Sequence, residues 1–188
     1  VERLLVEWKG PVVLDADALN VFEGEPRTLG SLLGARPAIV TPHPVEAARL
    51  LRRDGAAVSA ARFTVGAELA KQLGATVVLK GVPSIISAPD GRVAVSASGS
   101  PVLGTAGSGD VLGGIVATLL AQVGDPFEAA MVGAWVHGRA GEIAAEQGSV
   151  RGTSLEDIVT ALRTTWRLDE PSRHPAVLAA LPAVGLTR

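Results

Sequence analysis

The chain has 188 residues, of which 47% are hydrophobic and 19% are charged, and its formal net charge is −2. This balance is typical of a folded domain and gives no electrostatic reason to expect nucleic acid or an anionic membrane as a partner. The absence of cysteine excludes disulfides, thiolate catalysis and cysteine zinc sites, and with no visible signal peptide or membrane-length apolar run it predicts a cytoplasmic protein.

Short apolar runs alternate with helical patterns through the first 81 residues. Runs typical of buried parallel strands cover 11–17, 37–41 and 76–81, and apolar residues at helical spacing cover 1–8, 43–53 and 61–75. Pro44 occupies the first position of the second predicted helix, and Gly74 closes the third. This alternation predicts an α/β fold with a mainly parallel sheet.

The rest of the chain contains a hairpin, a glycine-rich loop and further helices. The hairpin turns at Pro89-Asp90-Gly91 within 84–97, the glycine-rich loop is 104–114, and helical patterns cover 111–122, 126–148 and 154–167. Ser154 and Asp157 form a predicted capping box. We expect one domain over 1–170 and a tail rich in proline and alanine over 171–188.

Polar side chains are concentrated where the predicted strands end. They are Asp15, Asp17, Asn20, Thr41, His43 and Lys80, joined by the glycine-rich loop. In open α/β sheets, ligands bind beyond the carboxyl ends of the strands. The sequence therefore predicts a ligand site at this edge.

The glycine-rich loop, GTAGSGDVLGG, leads directly into an apolar helix. Glycine lets main-chain amides turn toward an anion, and a helix N-terminus adds a partial positive charge. Asp110 stands where a phosphate-binding loop of the Walker A type carries lysine, so the loop is not of that type. A carboxylate beside an anion cradle fits a general base in phosphoryl transfer, although an ordinary capping acid would give the same pattern.

Five blocks of the sequence together resemble the ADP/ATP-dependent NAD(P)H-hydrate dehydratases, ribokinase-like enzymes that repair hydrated nicotinamide cofactors. The blocks are PVVLDADALN, VTPHPVEAARLL, VVLKGVPSIISAPDGRVAV, SGSPVLGTAGSGDVLGGIVATLLAQ and WVHGRAGEIAAEQG, which follow the family's order over residues 11–148. The resemblance implies a three-layer αβα fold and a carbon–oxygen lyase.

The chain departs from the family pattern in sequence and in length. Ala106, Val45 and Ser100 replace a usual glycine, glycine and asparagine. Family members are longer, so the resemblance implies that the N-terminal part of the domain is missing and that this is its C-terminal portion. Whether the shortened chain is active alone is open at this point.

The resemblance assigns roles to residues at the predicted edge. Asp110 would be the catalytic base, Gly107, Ser108 and Gly109 the anion hole, and His43 a substrate ligand. Asp15 and Asn20 would lie near the substrate, and Glu46 would help to hold Mg²⁺. The corresponding capping roles of His43 and Glu46 at a helix start remain open alternatives.

The segment that follows the third predicted strand matches the family's nucleotide-binding segment. It consists of Lys80, Gly81, Val82, Pro83 and Ser84, and Gly109 would also lie near the nucleotide. A lysine at the end of an apolar strand is a costly semi-buried charge, which a phosphate partner would compensate. His137, inside an apolar helix, is interpreted as a core residue below the site.

The implied reaction begins as a kinase reaction. Asp110 would take the proton from the ring hydroxyl of hydrated NADH or NADPH, and the oxygen would attack the terminal phosphoryl group of ADP or ATP. Loss of the phosphate ester then restores the dihydronicotinamide. The resemblance also implies Mg²⁺, a homo-oligomer (a tetramer in relatives) and a possible epimerase domain upstream.

Two other functions are compatible with the same residues. One is a small-molecule kinase of the ribokinase-like superfamily that acts on a vitamin-precursor alcohol. The other is a nucleotide-binding module without catalysis. The sequence does not distinguish ADP from ATP as the donor.

Overall fold

The computed structural model describes residues 1–166, in which helices and strands alternate as in α/β proteins. The helices are α1 (Glu2–Glu7), α2 (Asp17–Asn20), α3 (Pro26–Leu33), α4 (Pro44–Leu51), α5 (Gly55–Ala60), α6 (Arg62–Leu73), α7 (Ser108–Val123), α8 (Pro126–Gln147) and α9 (Leu155–Thr165). The strands are β1 (Val12–Leu14), β2 (Ala38–Val40), β3 (Thr76–Leu79), β4 (Ser84–Ser87) and β5 (Val93–Ser96). The predicted α/β class is confirmed.

The strands form one sheet in the order β1-β2-β3-β4-β5. Strands β1, β2 and β3 pair in parallel, whereas β3, β4 and β5 pair in antiparallel fashion. Helical crossovers separate the parallel strands, and the short links of the last three strands allow only antiparallel pairing. The described part of the sheet is thus mixed, with the parallel strands first and the predicted hairpin at its edge.

Helices cover both faces of the sheet, which gives three layers. Neighbouring residues of one strand point to opposite faces, so Val40 packs in one core cluster and Ile39 in the other. Helices α1 to α6 contribute to the first cluster, and α7 and α8 to the second. Helix α9 packs on α8. In residues 1–166, no helix has both the length and the hydropathy that spanning a bilayer requires.

Several elements differ from the sequence prediction in their bounds. Helices α2 and α5 have only four and six residues, too few turns to show an apolar periodicity. Helix α7 begins at Ser108 instead of Val111, so the G-S-G-D stretch provides its first turn. The predicted capping box at Ser154 is confirmed. The expected tail at 171–188 lies outside the described residues, and the domain boundary at 170 stays a prediction.

The carboxyl ends of the parallel strands meet at one edge. Asp15 follows β1 directly, Thr41 follows β2, and Lys80 follows β3. Two further main-chain hydrogen bonds, from Thr41 N to Leu14 O at 3.0 Å and from Lys80 N to Pro42 O at 2.9 Å, extend the parallel alignment past the strands. The fold therefore brings the predicted polar residues of this edge close together.

Candidate active site

The centre of the edge is an ion cluster built on Lys80. The Lys80 ammonium lies 2.6 Å from Asp15 Oδ1 and 3.8 Å from Glu46 Oε2. About a fifth of the Lys80 and Asp15 side chains is exposed, and the Glu46 side chain is 6% exposed. The semi-buried charge of Lys80 is thus compensated by the protein's own carboxylates, so its burial alone does not require a phosphate.

His43 caps helix α4 and orients Glu46. His43 Nδ1 accepts hydrogen bonds from the amides of Val45 at 3.0 Å and Glu46 at 3.2 Å. The His43 amide donates to Glu46 Oε2 at 2.7 Å, and His43 Nε2 lies 3.3 Å from Glu46 Oε1. Because Nδ1 acts as an acceptor, the proton of the neutral ring belongs on Nε2. His43 therefore has the capping role that the sequence left open, and its ring is half-exposed at the edge.

The first turn of α7 has main-chain amides available for an anion. Gly107 precedes the helix in the left-handed conformation, with φ +86°, which favours glycine. Ser108 N donates to Thr105 O, and Val111 N donates to Gly107 O. Within residues 1–166, the amides of Gly109 and Asp110 have no acceptor. Two donors at the positive end of a 16-residue helix thus point away from the helix.

Gly109 brings this turn against the ion cluster. A Cβ added to Gly109 would lie 3.5 Å from Asp15 Oδ2 and 3.7 Å from Lys80 Nζ. The neighbouring Asp110 is exposed, and its carboxylate has no hydrogen-bond or ion-pair partner among the described residues. The first turn of α7 therefore lies against the Asp15–Lys80 pair, and the exposed carboxylate of Asp110 belongs to that turn.

Ser108 points inward and is held by His137. Ser108 is 2% exposed, and its Oγ forms a hydrogen bond of 2.9 Å with His137 Nε2. Burial lowers the pKa of His137 to about 4; a hydrogen bond with the Ser108 main chain opposes this shift, and the charge of Lys80 adds to it. His137 is thus a neutral core residue that anchors the start of α7, a contact between residues 29 positions apart that no local pattern indicates.

We expect His137 to make the protein less stable as the pH falls from 6.5 to 4. Its pKa is lower in the folded protein than in the unfolded chain, so the unfolded state binds more protons in this window, and about 3 kcal/mol of unfolding free energy is lost across it. Urea unfolding at several pH values should therefore show a flatter dependence for His137→Gln than for the wild-type chain. Equal slopes in both proteins would contradict this.

The segment after β3 is held by a residue that the sequence did not single out. Arg62, the first residue of α6, donates from Nη1 to Val82 O at 3.0 Å and from Nη2 to Pro83 O at 2.6 Å. Ser84 Oγ donates to Gly81 O at 3.2 Å. Arg62 precedes this segment by about 20 residues, so only the packing of α6 beside β3 and β4 reveals the contact.

Asn20 is a predicted site residue that the structure does not join to the cluster. Its Nδ2 donates to Asp17 Oδ1 at 3.2 Å, and its Oδ1 accepts from Arg49 Nη1 at 3.1 Å. No hydrogen bond or ion pair within residues 1–166 links it to Lys80 or Glu46. Its role as a substrate ligand stays a prediction.

Glu46 does not fit a direct ligand of Mg²⁺. Oε2 accepts the His43 amide and faces Lys80, and Oε1 faces His43 Nε2. Among the described residues, no group of three histidine or acidic side chains is placed to hold a metal ion. The prediction that Glu46 helps to hold Mg²⁺ through water stays a prediction, and no chemical step below depends on it.

The fold and the edge site define a class, the α/β proteins whose ligand sites lie beyond the carboxyl ends of parallel strands. The family model described as NAD(P)H-hydrate dehydratase matches residues 1–164. The chain belongs to this family, as the five sequence blocks predicted.

Individual relatives agree with the family assignment. A Neisseria meningitidis protein named ADP-dependent (S)-NAD(P)H-hydrate dehydratase is 47% identical over 154 residues, covering 81% of this chain and 52% of that protein. A bifunctional NAD(P)H-hydrate repair enzyme from Moorella thermoacetica is 40% identical over 181 residues, covering 96% of this chain and 34% of that protein.

A solved structure shows the same architecture. The ADP/ATP-dependent NAD(P)H-hydrate dehydratase from Bacillus subtilis, co-crystallised with ATP/Mg²⁺, has a TM-score of 0.75 and 28% identity, covering 86% of this chain and 56% of that one. This chain spans about half the length of the Neisseria and Bacillus relatives that it matches.

Proposed function

We propose that the chain carries out the nucleotide-dependent dehydration of hydrated NADH or NADPH, a carbon–oxygen lyase reaction that repairs the cofactor. One observation carries the proposal: the acceptor-free amides of Gly109 and Asp110 lie beside Lys80, with the exposed carboxylate of Asp110 at the same turn. This arrangement supplies donors for a phosphoryl group and a base for the hydroxyl that attacks it.

The steps follow from the placement of these groups. Asp110 takes the proton of the ring hydroxyl while the hydroxyl oxygen attacks the terminal phosphoryl group of the donor. The bond between that phosphorus and the bridging oxygen of the donor breaks. The loop amides and Lys80 stabilise the charge on the phosphoryl oxygens. The lone pair of the ring nitrogen then expels inorganic phosphate as the ring C–O bond breaks, and loss of a proton from the adjacent carbon to water restores the dihydronicotinamide. The donor leaves as AMP when it is ADP.

Lys80 can serve the phosphate without leaving Asp15. An ammonium has three donors, and one of them is directed to Asp15 Oδ1 in this structure. Gly109 has no side chain between the Asp15–Lys80 pair and the first turn of α7, so a phosphoryl group there would meet both the ammonium and the amides. The segment Gly81–Ser84 lies next to Lys80 in the chain and is the proposed contact for the rest of the nucleotide.

An assay that distinguishes the products tests this proposal. The chain is incubated with hydrated NADH and ADP; we expect the absorbance of NADH to appear together with equimolar AMP and inorganic phosphate. A stable phosphorylated product without NADH would identify a small-molecule kinase instead. Binding of ADP without any turnover would identify a nucleotide-binding module, and either result would contradict the proposal.

Other properties are proposed from the family alone. Hydrated NADH or NADPH is the proposed substrate, ADP or ATP the proposed donor, and Mg²⁺ would reach the site on the phosphates of the donor rather than on a protein cage. A cytoplasmic location, a homo-oligomer and an epimerase domain in the same polypeptide stay predictions, as does the role of the tail at 171–188.

A further inference from the structure

The turn Gly81–Pro83 lacks the support that a strand or helix would give it. No main-chain amide or carbonyl of these three residues takes part in a backbone–backbone hydrogen bond within the described part of the chain. Val82 at its tip is 95% exposed. A short segment of this kind loses conformational entropy when it orders around a ligand, unless something already holds it.

All three main-chain carbonyls of the turn accept hydrogen bonds from side chains of the protein. Ser84 Oγ donates to Gly81 O, and the Arg62 guanidinium donates to the carbonyls of Val82 and Pro83. Carbonyl oxygens repel phosphate oxygens, so a turn whose carbonyls are already engaged is better suited to an anion. A planar guanidinium can serve two carbonyls at once, whereas an ammonium lacks that fixed fork.

Arg62 is also packed tightly under the turn. A Cβ on Gly81 would lie 3.0 Å from Arg62 Cζ and would clash with Nη2, so a side chain at position 81 would displace the guanidinium. Arg62 Nε is buried and has no hydrogen-bond partner among the described residues. A buried donor without a partner is costly, which indicates that the contacts of the two Nη atoms determine where this side chain lies.

We infer that Arg62 is a positioning residue that preorganises the turn Gly81–Pro83 for the nucleotide. This role rests on the proposed function, because it assumes that the turn contacts ADP or ATP. Arg62 acts through the main chain of the turn and makes no contact with the reacting atoms. Loss of Arg62 should therefore weaken nucleotide binding more than it slows the chemical step.

The test compares Arg62→Gln with a matched variant of another arginine. Arg53 forms two hydrogen bonds with Glu68 on α6, at 2.7 and 2.6 Å, and has no hydrogen bond with the turn among the described residues, so Arg53→Gln removes a comparable paired guanidinium. Binding of ADP to the 188-residue chain is measured by calorimetry, and the thermal midpoint is recorded for each variant. The turnover number for hydrated NADH at saturating ADP is also measured for each variant.

We expect Arg62→Gln to raise the Kd for ADP by about tenfold or more, the order of magnitude for one lost charge-assisted hydrogen bond. The turnover number at saturating ADP should change much less than the Kd, and Arg62→Lys should show a smaller increase in Kd. Arg53→Gln should leave both measurements unchanged.

Three outcomes separate the inference from the proposed function. If Arg62→Gln binds ADP as tightly as the wild type, Arg62 is only structural and the inference is overturned. If Arg62→Gln loses more thermal stability than Arg53→Gln, its weaker binding could come from a damaged fold, and the Kd of Arg62→Lys is compared instead. A wild-type Kd for Arg62→Lys also overturns the inference. A wild-type chain that binds no ADP contradicts the proposed function itself.

Discussion

Replacing Asp110 with asparagine is expected to lower turnover by about 10²- to 10⁴-fold, the usual loss when a positioned general base is removed. Asp110 is exposed in the first turn of α7 and has no side-chain partner among the described residues, so the substitution should not disturb the fold. The asparagine side chain cannot accept the hydroxyl proton, but the main-chain amide of residue 110, which would bind phosphate, is retained. The Kd for ADP should therefore not rise.

Turnover of hydrated NADH and calorimetry with ADP together check this expectation. Glu128 offers a matched control, because it is also an exposed acid in the first turn of a helix, α8, and is not part of the edge cluster. Glu128→Gln should leave both measurements unchanged. Near-normal turnover in Asp110→Asn would rule out Asp110 as the base, and Asp110 would then be a capping residue only.

The second large effect is expected for Lys80→Met. The substitution leaves Asp15 without its ion-pair partner and Glu46 without its neighbouring cation. Removing one partner of a fully buried pair costs about 3–5 kcal/mol, and the partial exposure of Lys80 and Asp15 reduces this to about 2 kcal/mol here. The variant also loses the proposed phosphate contact, so the Kd for ADP should rise by at least about tenfold.

A double variant separates the two roles of Lys80. In Asp15→Asn/Lys80→Met, the unpaired carboxylate is removed, so urea unfolding should show much of the stability restored while ADP binding stays weak. Lys71→Met is the control, because Lys71 is an exposed lysine in the last turn of α6. Recovery of ADP affinity in the double variant would mean that Lys80 acts on the fold and does not contact the nucleotide.

The position of the site at the sheet edge could be predicted from the sequence, whereas its internal contacts could not. Asp15 and Lys80 are 65 residues apart, yet each follows an apolar run, and parallel strands end at the same edge. The strands that precede Asp15 and Lys80, β1 and β3, lie on either side of β2. This strand order cannot be read from the local sequence. From the sequence alone, a phosphate was the expected partner for the charge of Lys80. In the structure, Asp15 already forms an ion pair with it.

Two other contacts depend on packing in the same way. Ser108 meets His137 because α7 packs along α8, and Arg62 meets the turn after β3 because α6 lies beside β3 and β4. The family resemblance of the DADALN block placed Asn20 near the substrate. In the structure its side-chain hydrogen bonds go to Asp17 and Arg49, and its role as a substrate ligand stays a prediction.

The most direct test of the central claim is a crystal structure of the 188-residue chain with bound ADP. The terminal phosphate is expected within hydrogen-bond distance of the Gly109 and Asp110 amides and of Lys80 Nζ, with the Asp110 carboxylate facing the side from which a hydroxyl would approach. A terminal phosphate bound elsewhere, or an Asp110 side chain turned away from it, would contradict the proposed chemistry.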